Sequence, residues 1–358
     1  MVQYFKSCII LIVIFVSNCN SLHNNMETFE IHGLVAPVFT AFKEDGTLDI
    51  NKIAEQASWL NSTGVKWVFT SGSTGESVDL TVDERKLVAT EWVKIAPKYD
   101  MQVIVHVGTD SVIDAIDMAQ HAENIGAQVV AAMPPTYIKP LTVNALVQTI
   151  KAIANAAPSI PFYYYHIPSC TGVDFLMSDF VAAADEEIPN LRGIKYTHYA
   201  LDDLQLTLAY TFKSGPSWRK GFSPNILFGR DQFLLAALSY GVEGAVGTTY
   251  NFNAELQRQI IDAFNKGDLE TARNAQKGTA SFVKYLDELA HTLNGAYSWK
   301  IIMKIIGNDV GPARLPYIPP TPAAEEALKS MLIKWCNELS VDLQTSWCKR
   351  LIKKEEKK

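Results

Sequence analysis

Eight short apolar segments recur along this chain at intervals of roughly 25–35 residues, and amphipathic segments lie between them. Each apolar segment is rich in Val, Ile, Phe or Tyr on both faces, which is typical of parallel strands that are covered on both sides. Eight such strands that alternate with helices predict a (β/α)8 TIM barrel. The predicted strands are Gly33–Phe39, Lys66–Thr70, Gln102–Val107, Gln128–Met133, Pro161–His166, Leu191–Tyr196, Asn225–Gly229 and Glu243–Gly247.

The intervening segments carry apolar residues three and four positions apart, which predicts helices. Asp49 is placed to cap the first helix, and Thr81 with Glu84 three residues later is typical of a capping box. An open doubly wound sheet is the alternative, but residues 40–46 lack the glycine fingerprint that usually follows its first strand. The predicted helices include Asp49–Leu60, Thr81–Ile95, Ser111–Ile125 and Asp231–Tyr240.

The 358 residues are predicted to form one barrel with additional C-terminal helices, because a single barrel routinely uses about 250 residues. Residues 33–253 would form the barrel and residues 254–345 a helical extension packed on it. Residues 346–358 interleave Lys and Arg with Glu, which predicts a solvated charged tail. The helices of the extension are predicted at Ala254–Phe264, Leu269–Leu293 and Ala323–Leu339.

The sequence pattern of residues 1–25 predicts a signal peptide or an untranslated leader. A lysine, an apolar run over residues 8–16 and a polar stretch follow in the order of a secretory signal, although a buried strand would have a similar run. The run is shorter than the ~20 apolar residues that span a bilayer, so stable membrane insertion is not expected. Translation from Met26 would instead give a cytoplasmic protein, and the sequon at Asn61 would be glycosylated only on the secretory route.

The composition excludes two classes of protein. Hydrophobic residues make up 48% of the chain and charged residues 20%, which is ordinary for a packed globular protein and excludes a disordered one. The formal net charge of −6 argues against a nucleic-acid partner, which normally selects a basic surface.

The cysteines and histidines do not show the spacing of a metal site. Two cysteines lie in the predicted leader, and the remaining three are scattered with no CxxC pair. The sequence therefore predicts neither a zinc site nor a disulfide framework, and no metal is expected. These residues are Cys8, Cys19, Cys170, Cys336 and Cys348, with His106, His121, His166 and His198.

Polar residues follow several of the predicted strands, where a barrel of this kind carries its chemistry. After the second strand, residues 70–76 contain two glycines, so that backbone N–H groups and the hydroxyls of Ser73 and Thr74 can converge on a phosphate or a carboxylate. The alternative is an ordinary Gly-Ser turn. The loop lacks the Gly-Lys-Ser/Thr of a nucleotide-binding P-loop.

Lys195 stands at the end of the sixth strand between Ile194 and Tyr196. Burial would lower the pKa of its amine and leave it able to attack a ketone and form a Schiff base. The alternative is a lysine whose stem is buried and whose ammonium reaches the barrel mouth. One of three consecutive tyrosines at the end of the fifth strand should face the barrel interior near its top, where its phenol could move a proton to or from a substrate beside Lys195. His166 is expected to be structural.

The motifs GSTGE, YYYHIP, GIKYT and GTTYN, with the segment KIIMKIIGNDVGPARLP, resemble those of the N-acetylneuraminate lyases in the dihydrodipicolinate synthase superfamily. The resemblance covers about Gly33 to Pro319, in family order. It implies a class I aldolase that cleaves sialic acid reversibly to N-acetylmannosamine and pyruvate. It also implies a homotetramer that uses no metal and no cofactor beyond a covalent pyruvate imine on Lys195.

The resemblance implies roles for individual residues. Lys195 matches the Schiff-base lysine, Tyr165 the proton-shuttling tyrosine and Tyr137 the tyrosine lent to a neighbouring subunit's site. Ser73 and Thr74 match the pair that binds the pyruvate carboxylate. The positions that match contacts to the sugar part are Thr197, Gly229, Asp231, Gln232 and Thr248.

Two positions depart from the pattern of the N-acetylneuraminate lyases, and a third separates the chain from the dihydrodipicolinate synthases. Gln232 stands where the family usually has Glu, and Arg230 adds a cation beside it. Cys170 stands where dihydrodipicolinate synthases carry an arginine, and with Ser73 in place of Thr this argues against that activity. Two alternatives stay open, which are a related aldolase for another 2-keto-3-deoxy sugar acid and a catalytically silent sugar-binding barrel.

Overall fold

The computed structural model describes residues 29–213 and 221–357. The predictions for residues 1–25, for Met26, and for Cys8 and Cys19 lie outside the described residues and stay predictions. In the described ranges, no helix combines the length and the apolar character needed to cross a bilayer.

Eight parallel strands close into a barrel in which each strand pairs with its sequence neighbours and β1 pairs with β8. The (β/α)8 prediction is therefore confirmed, and an open sheet is excluded because Val35 of β1 pairs with both Trp67 and Val246. The strands are β1 Gly33–Pro37, β2 Trp67–Thr70, β3 Gln102–His106, β4 Val129–Ala132, β5 Phe162–His166, β6 Leu191–Tyr196, β7 Asn225–Phe228 and β8 Gly244–Val246.

Helices follow the strands and cover the outside of the barrel. Those within the barrel are α1 Lys52–Ser62, α2 Val82–Ile95, α3 Val112–Asn124, α4 Val143–Ala154, α5 Pro168–Thr171, α6 Met177–Ala184, α7 Leu201–Ala209 and α8 Leu234–Ser239. Those after β8 are α9 Tyr250–Asn265, α10 Leu269–Glu288, α11 Ala290–Leu293, α12 Ser298–Ile306, α13 Pro322–Glu338 and α14 Ser346–Glu355.

The first residues of α1 and α2 can be compared with the two helix caps that the sequence predicts. The capping box is confirmed, because the Glu84 N–H donates to Thr81 Oγ1 at 3.2 Å and the Thr81 N–H donates to Glu84 Oε2 at 3.0 Å. The cap at Asp49 is wrong, because α1 begins three residues later at Lys52. The Asp49 N–H instead donates to the Ala41 carbonyl, which ties that residue to a turn before the helix.

Alternation along the strands divides the core into two layers. Side chains such as Phe69, Tyr163 and Tyr165 fill the barrel interior. Tyr164 and Tyr196 point the other way and pack under the helices, with the Tyr164 ring 4.6 Å from that of Phe180. Two tyrosines of β5 thus face inward, and only Tyr165 lies near the carboxyl end of the strand, which agrees with the prediction of one tyrosine near the top of the interior.

The C-terminal segment corrects two predictions. Residues 346–355 form α14, which buries Trp347, Cys348 and Leu351 and leaves its basic residues outside, so this part of the chain is not a solvated tail. Cys348 forms a disulfide with Cys336 of α13, 12 positions away. The cysteines meet because α13 and α14 pack together, an arrangement that their spacing in the sequence does not reveal. The neighbouring rings of Trp335 and Trp347 stack 5.8 Å apart.

Removal of this disulfide is expected to lower the free energy of unfolding by about 3 kcal/mol, the loss of loop-closure constraint for a short loop. The measurement is urea unfolding of Cys348→Ser beside the unaltered chain, each with and without reductant. Cys170→Ser is the matched control, since Cys170 is an exposed free thiol. Equal unfolding midpoints for Cys348→Ser and the unaltered chain under oxidising conditions would contradict the assignment.

Candidate active site

Lys195 and Tyr165 lie next to each other at the carboxyl end of the barrel. They are direct partners in the register between β6 and β5, and both point into the interior because Ile194, Tyr196 and Tyr164 alternate to the outer layer. The sequence prediction that a lysine and one tyrosine meet at the top of the barrel agrees with this arrangement.

The Lys195 side chain is buried among aromatic rings. The residue is only 4% exposed, and its Nζ lies 4.0 Å from the centre of the Phe69 ring and 3.9 Å from that of Tyr165. Burial lowers the pKa of this amine to about 7, although the Asp231 carboxylate acts in the opposite direction. The alternative of a lysine that reaches solvent is therefore wrong, and a large fraction of the amine is neutral near pH 7.

Tyr165 carries its phenolic proton at neutral pH. Burial raises the pKa of the phenol to about 12, and its oxygen lies 3.3 Å from Ser73 Oγ in the loop after β2. A protonated phenol beside the lysine is placed to donate a proton to a group that reacts there.

The loop after β2 presents hydroxyl groups to the same space. Ser73 is exposed, and Thr74 Oγ1 lies 2.8 Å from Thr248 Oγ1 in the segment after β8. Ser71 adopts the left-handed conformation with φ 51°, which turns the chain sharply at the end of the strand. A small anion such as a carboxylate could bind here opposite the lysine.

Glu76 ends this loop, and the sequence analysis missed the residues that hold it. Lys300 of α12 forms a buried ion pair with Glu76 at 2.6 Å and donates to the carbonyls of Thr40 and Pro312, each at 2.7 Å. Its ammonium is thus fully provided with acceptors, as a buried charge requires. The sequence signal for a buried lysine was that Lys300 precedes three apolar residues in α12. This segment was considered only for its resemblance to the family.

His106 of β3 is a second residue that sequence analysis did not connect with the site. Its ring lies 5.6 Å from those of Phe69 and Tyr165. The geometry assigns the tautomer, in which Nδ1–H donates to the Ser71 carbonyl at 2.7 Å and Nε2 accepts from the Met133 N–H at 3.3 Å. Burial lowers the pKa of His106 well below its ordinary value, so the neutral ring braces both Tyr165 and the loop after β2.

Three of the residues predicted to contact the sugar, Thr197, Gly229 and Asp231, follow β6 and β7. Asp231 is buried and accepts from the N–H and the Oγ1 of Thr249, at 3.0 and 2.6 Å, and burial raises the pKa of its carboxyl group. Thr197 Oγ1 is buried beside the Tyr165 hydroxyl. A side chain at Gly229 would lie 1.9 Å from this oxygen, so only glycine leaves room for it.

The remaining candidates lie at the rim or outside it. Gln232 lines a surface groove of about 400 Å³ between α8 and α10. Arg230 lies over the Tyr199 ring at 4.1 Å and donates to Ser169 Oγ at 3.2 Å, which fixes a cation at the mouth. Tyr137 is 89% exposed, and its N–H donates to Asp110 Oδ1 at 3.0 Å.

Comparison with known proteins agrees with this fold. Residues 30–334 match the Dihydrodipicolinate synthetase family. The chain is 36% identical over 291 residues to an N-acetylneuraminate lyase of Danio rerio, covering 81% of this chain and 92% of that protein. It is 37% identical over 309 residues to an N-acetylneuraminate lyase of Homo sapiens, covering 84% and 93%.

A solved structure extends the comparison to three dimensions. The N-acetylneuraminate lyase of Proteus mirabilis superposes with a TM-score of 0.77 and 31% identity, covering 87% of this chain and 100% of that one. The match to the family and the similarity of sequence and fold lead to one conclusion. The chain belongs to the dihydrodipicolinate synthetase family.

Proposed function

We propose that this chain is a class I aldolase that cleaves N-acetylneuraminate reversibly to N-acetylmannosamine and pyruvate. The observation that carries the proposal is the buried amine of Lys195 beside the protonated phenol of Tyr165, with the hydroxyls of Ser73 and Thr74 nearby. The names of the relatives in fish, human and Proteus mirabilis support the sugar acid.

The first half of the reaction builds the imine. Ser73 and Thr74 hold the carboxylate of the open-chain sugar acid and present its C2 ketone to Lys195. The neutral amine attacks C2, and Tyr165 donates its proton to the departing hydroxyl, which leaves as water. The products of this half are an iminium on Lys195 and a phenolate that the adjacent positive charge stabilises.

The second half breaks the carbon–carbon bond. The iminium withdraws the electron pair of the C3–C4 bond, and the Tyr165 phenolate takes the proton of the C4 hydroxyl as the aldehyde forms. That proton then passes to C3 of the enamine, and hydrolysis of the imine releases pyruvate and restores both side chains. The iminium is the electron sink, so the mechanism we propose assigns no step to a metal or a separate cofactor.

Asp231, Thr197, Thr248, Gly229 and Gln232 are proposed to contact the sugar part. The neutral Gln232 can hydrogen-bond hydroxyls but lacks the charge of the usual glutamate, which favours testing other 2-keto-3-deoxy sugar acids as well.

The experiment measures pyruvate release from N-acetylneuraminate and from such analogues under identical conditions. The highest kcat/KM for N-acetylneuraminate supports the proposal, and a higher value for an analogue would transfer it to the related aldolase. Release from none of them would indicate a silent barrel.

Imine formation with pyruvate is expected to accelerate as the pH rises through about 7 and to level off above it, because only the neutral Lys195 amine attacks. The measurement is the initial rate of pyruvate trapping by cyanoborohydride from mildly acidic to mildly alkaline pH. In Asp231→Asn the midpoint should move to lower pH, since the Asp231 carboxylate raises the pKa of Lys195. A rate that does not vary with pH, or a midpoint that moves upward in this variant, would contradict the assignment.

Tyr137 is proposed to act in a neighbouring subunit of a homotetramer. Its exposure, together with that of Ile138 and Leu141, supports a surface that is covered by another copy. Lys195→Ala and Tyr137→Ala are each expected to be impaired, and tetramers reassembled from a mixture of both should regain activity, because some sites then hold both residues. Sedimentation should give four chains. Mixtures no more active than the better variant would remove Tyr137 from the neighbouring site.

A further inference from the structure

Two histidines and an aspartate form a cluster outside the barrel interior. His166 ends β5, His198 follows β6 by two residues, and Asp174 lies between α5 and α6. Their ligand atoms all lie within 4.8 Å of one another, and His198 Nε2 is 3.6 Å from Asp174 Oδ1. The histidines are separated by 31 residues in the sequence, so their spacing does not predict this contact. The pairing of β5 with β6 brings them together.

His166 is the member that needs an explanation. It is 1% exposed, and neither of its ring nitrogens has a hydrogen-bond partner among the described residues. Its ring contacts Tyr164, Tyr196 and His198 at 6.2, 5.3 and 5.4 Å between ring centres. A buried polar group without a partner typically costs about 1–3 kcal/mol of stability. A ligand that bonds to either ring nitrogen of His166 would remove that cost from the folded chain.

The other two members are accessible. The side chains of His198 and Asp174 are 25% and 66% exposed, so an ion can reach them from solvent and both can change rotamer. Small rotations would bring the three ligand atoms to the 2.0–2.2 Å metal–ligand distances that zinc takes with His and Asp. His166 and His198 each follow a residue of the aldolase site, Tyr165 and Thr197. The His166 ring packs against Tyr164 and Tyr196 of the outer layer, so the cluster lies on the other side of the same strand ends.

We propose that His166, His198 and Asp174 bind one divalent transition-metal ion of the zinc type, with water at the remaining position. Two imidazoles and one carboxylate suit zinc and its neighbours better than calcium or magnesium, which prefer oxygen ligands alone. The ion would join the loop after β5 to the segment after β6. These segments carry Ser169 and Tyr199 at the mouth, so binding should stabilise the rim without taking part in the aldol chemistry.

The test uses the full chain stripped of metal with a chelator and then titrated with Zn²⁺ alone by calorimetry. The unaltered chain should bind one equivalent that His198→Ala and Asp174→Ala each weaken by at least about tenfold, the usual contribution of one ligand or its support. Zn²⁺ should also raise the melting temperature of the unaltered chain and not that of His198→Ala. His166 is left in place, because its buried ring could be needed for folding.

His32→Ala is the matched control, because His32 lies in a second cluster with Glu30 and Glu243 whose members are all exposed and in which both ring nitrogens face carboxylates. This variant should keep the equivalent that His198→Ala loses. No Zn²⁺ binding, loss of the equivalent in His32→Ala instead, or unchanged binding in His198→Ala would each overturn the proposal. The inference does not depend on the proposed function, since pyruvate trapping on the metal-free chain is measured separately and is expected to proceed.

Discussion

Lys195→Ala is expected to abolish cleavage of N-acetylneuraminate, with kcat reduced by about 10⁵-fold or more, the range of advantage that a well-placed intramolecular nucleophile provides. The variant keeps the pocket but has no amine at this position to form the imine, so the electron sink for the C3–C4 cleavage is lost. The measurement is pyruvate release at saturating substrate. Substantial turnover by this variant would contradict the Schiff-base mechanism.

A matched variant separates loss of the nucleophile from loss of the charge. Lys195→Arg keeps a cation at this position but cannot form a stable imine, so it should be as inactive as Lys195→Ala. Lys195→Ala should remain folded, because relief of the buried amine opposes the cost of the cavity that its stem leaves among the Phe69 and Tyr165 rings. A folded and inactive protein would assign the effect to chemistry, whereas a marked fall in melting temperature would assign part of it to structure.

Tyr165→Phe is expected to lower kcat by about 10²–10⁴-fold, the usual contribution of general acid–base catalysis. The variant keeps the ring that packs against Phe69 and His106 and loses only the hydroxyl near Ser73. Imine formation with pyruvate should persist at a reduced rate, because the lysine is intact. The two steps are measured separately, by trapping of pyruvate and by single-turnover cleavage.

Tyr164→Phe is the control for this experiment. Tyr164 neighbours Tyr165 in the same strand but packs in the outer layer against Phe180, so loss of its hydroxyl should leave the cleavage rate close to that of the unaltered chain. Normal cleavage in Tyr165→Phe, or an equal loss in Tyr164→Phe, would remove Tyr165 from the proton transfer.

The barrel could be predicted from the sequence because its signal is local and repeated. Strands buried on both faces carry apolar residues throughout, and the observed bounds differ from the predicted ones by at most two residues, as in β1 at Gly33–Pro37. Strand alternation then places Lys195 and Tyr165 in the interior together. The Thr81 capping box was predictable for the same reason, since its two partners are three residues apart.

What could not be predicted depends on contacts between distant segments. Lys300 pairs with Glu76 across 224 positions, and the role of His106 follows from the carbonyl of Ser71 in another strand–loop junction. The disulfide between Cys336 and Cys348 requires the packing of two helices. In the sequence of the second helix, the few apolar residues that are buried stand between charged ones, so its apolar face was not recognised. Each of these contacts is fixed by tertiary structure. The lysine before an apolar run in α12 was a local signal for a buried charge, but residue type and spacing did not identify the partner in any of the three contacts.

The most direct test of the central claim is reductive trapping. The chain is incubated with N-acetylneuraminate and borohydride, digested, and the peptides are analysed by mass spectrometry. The account predicts pyruvate attached to Lys195, with an adduct from N-acetylneuraminate as well as from pyruvate added alone. An adduct with pyruvate but none with N-acetylneuraminate would contradict the proposed substrate, and no adduct on Lys195 in either case would contradict the mechanism itself.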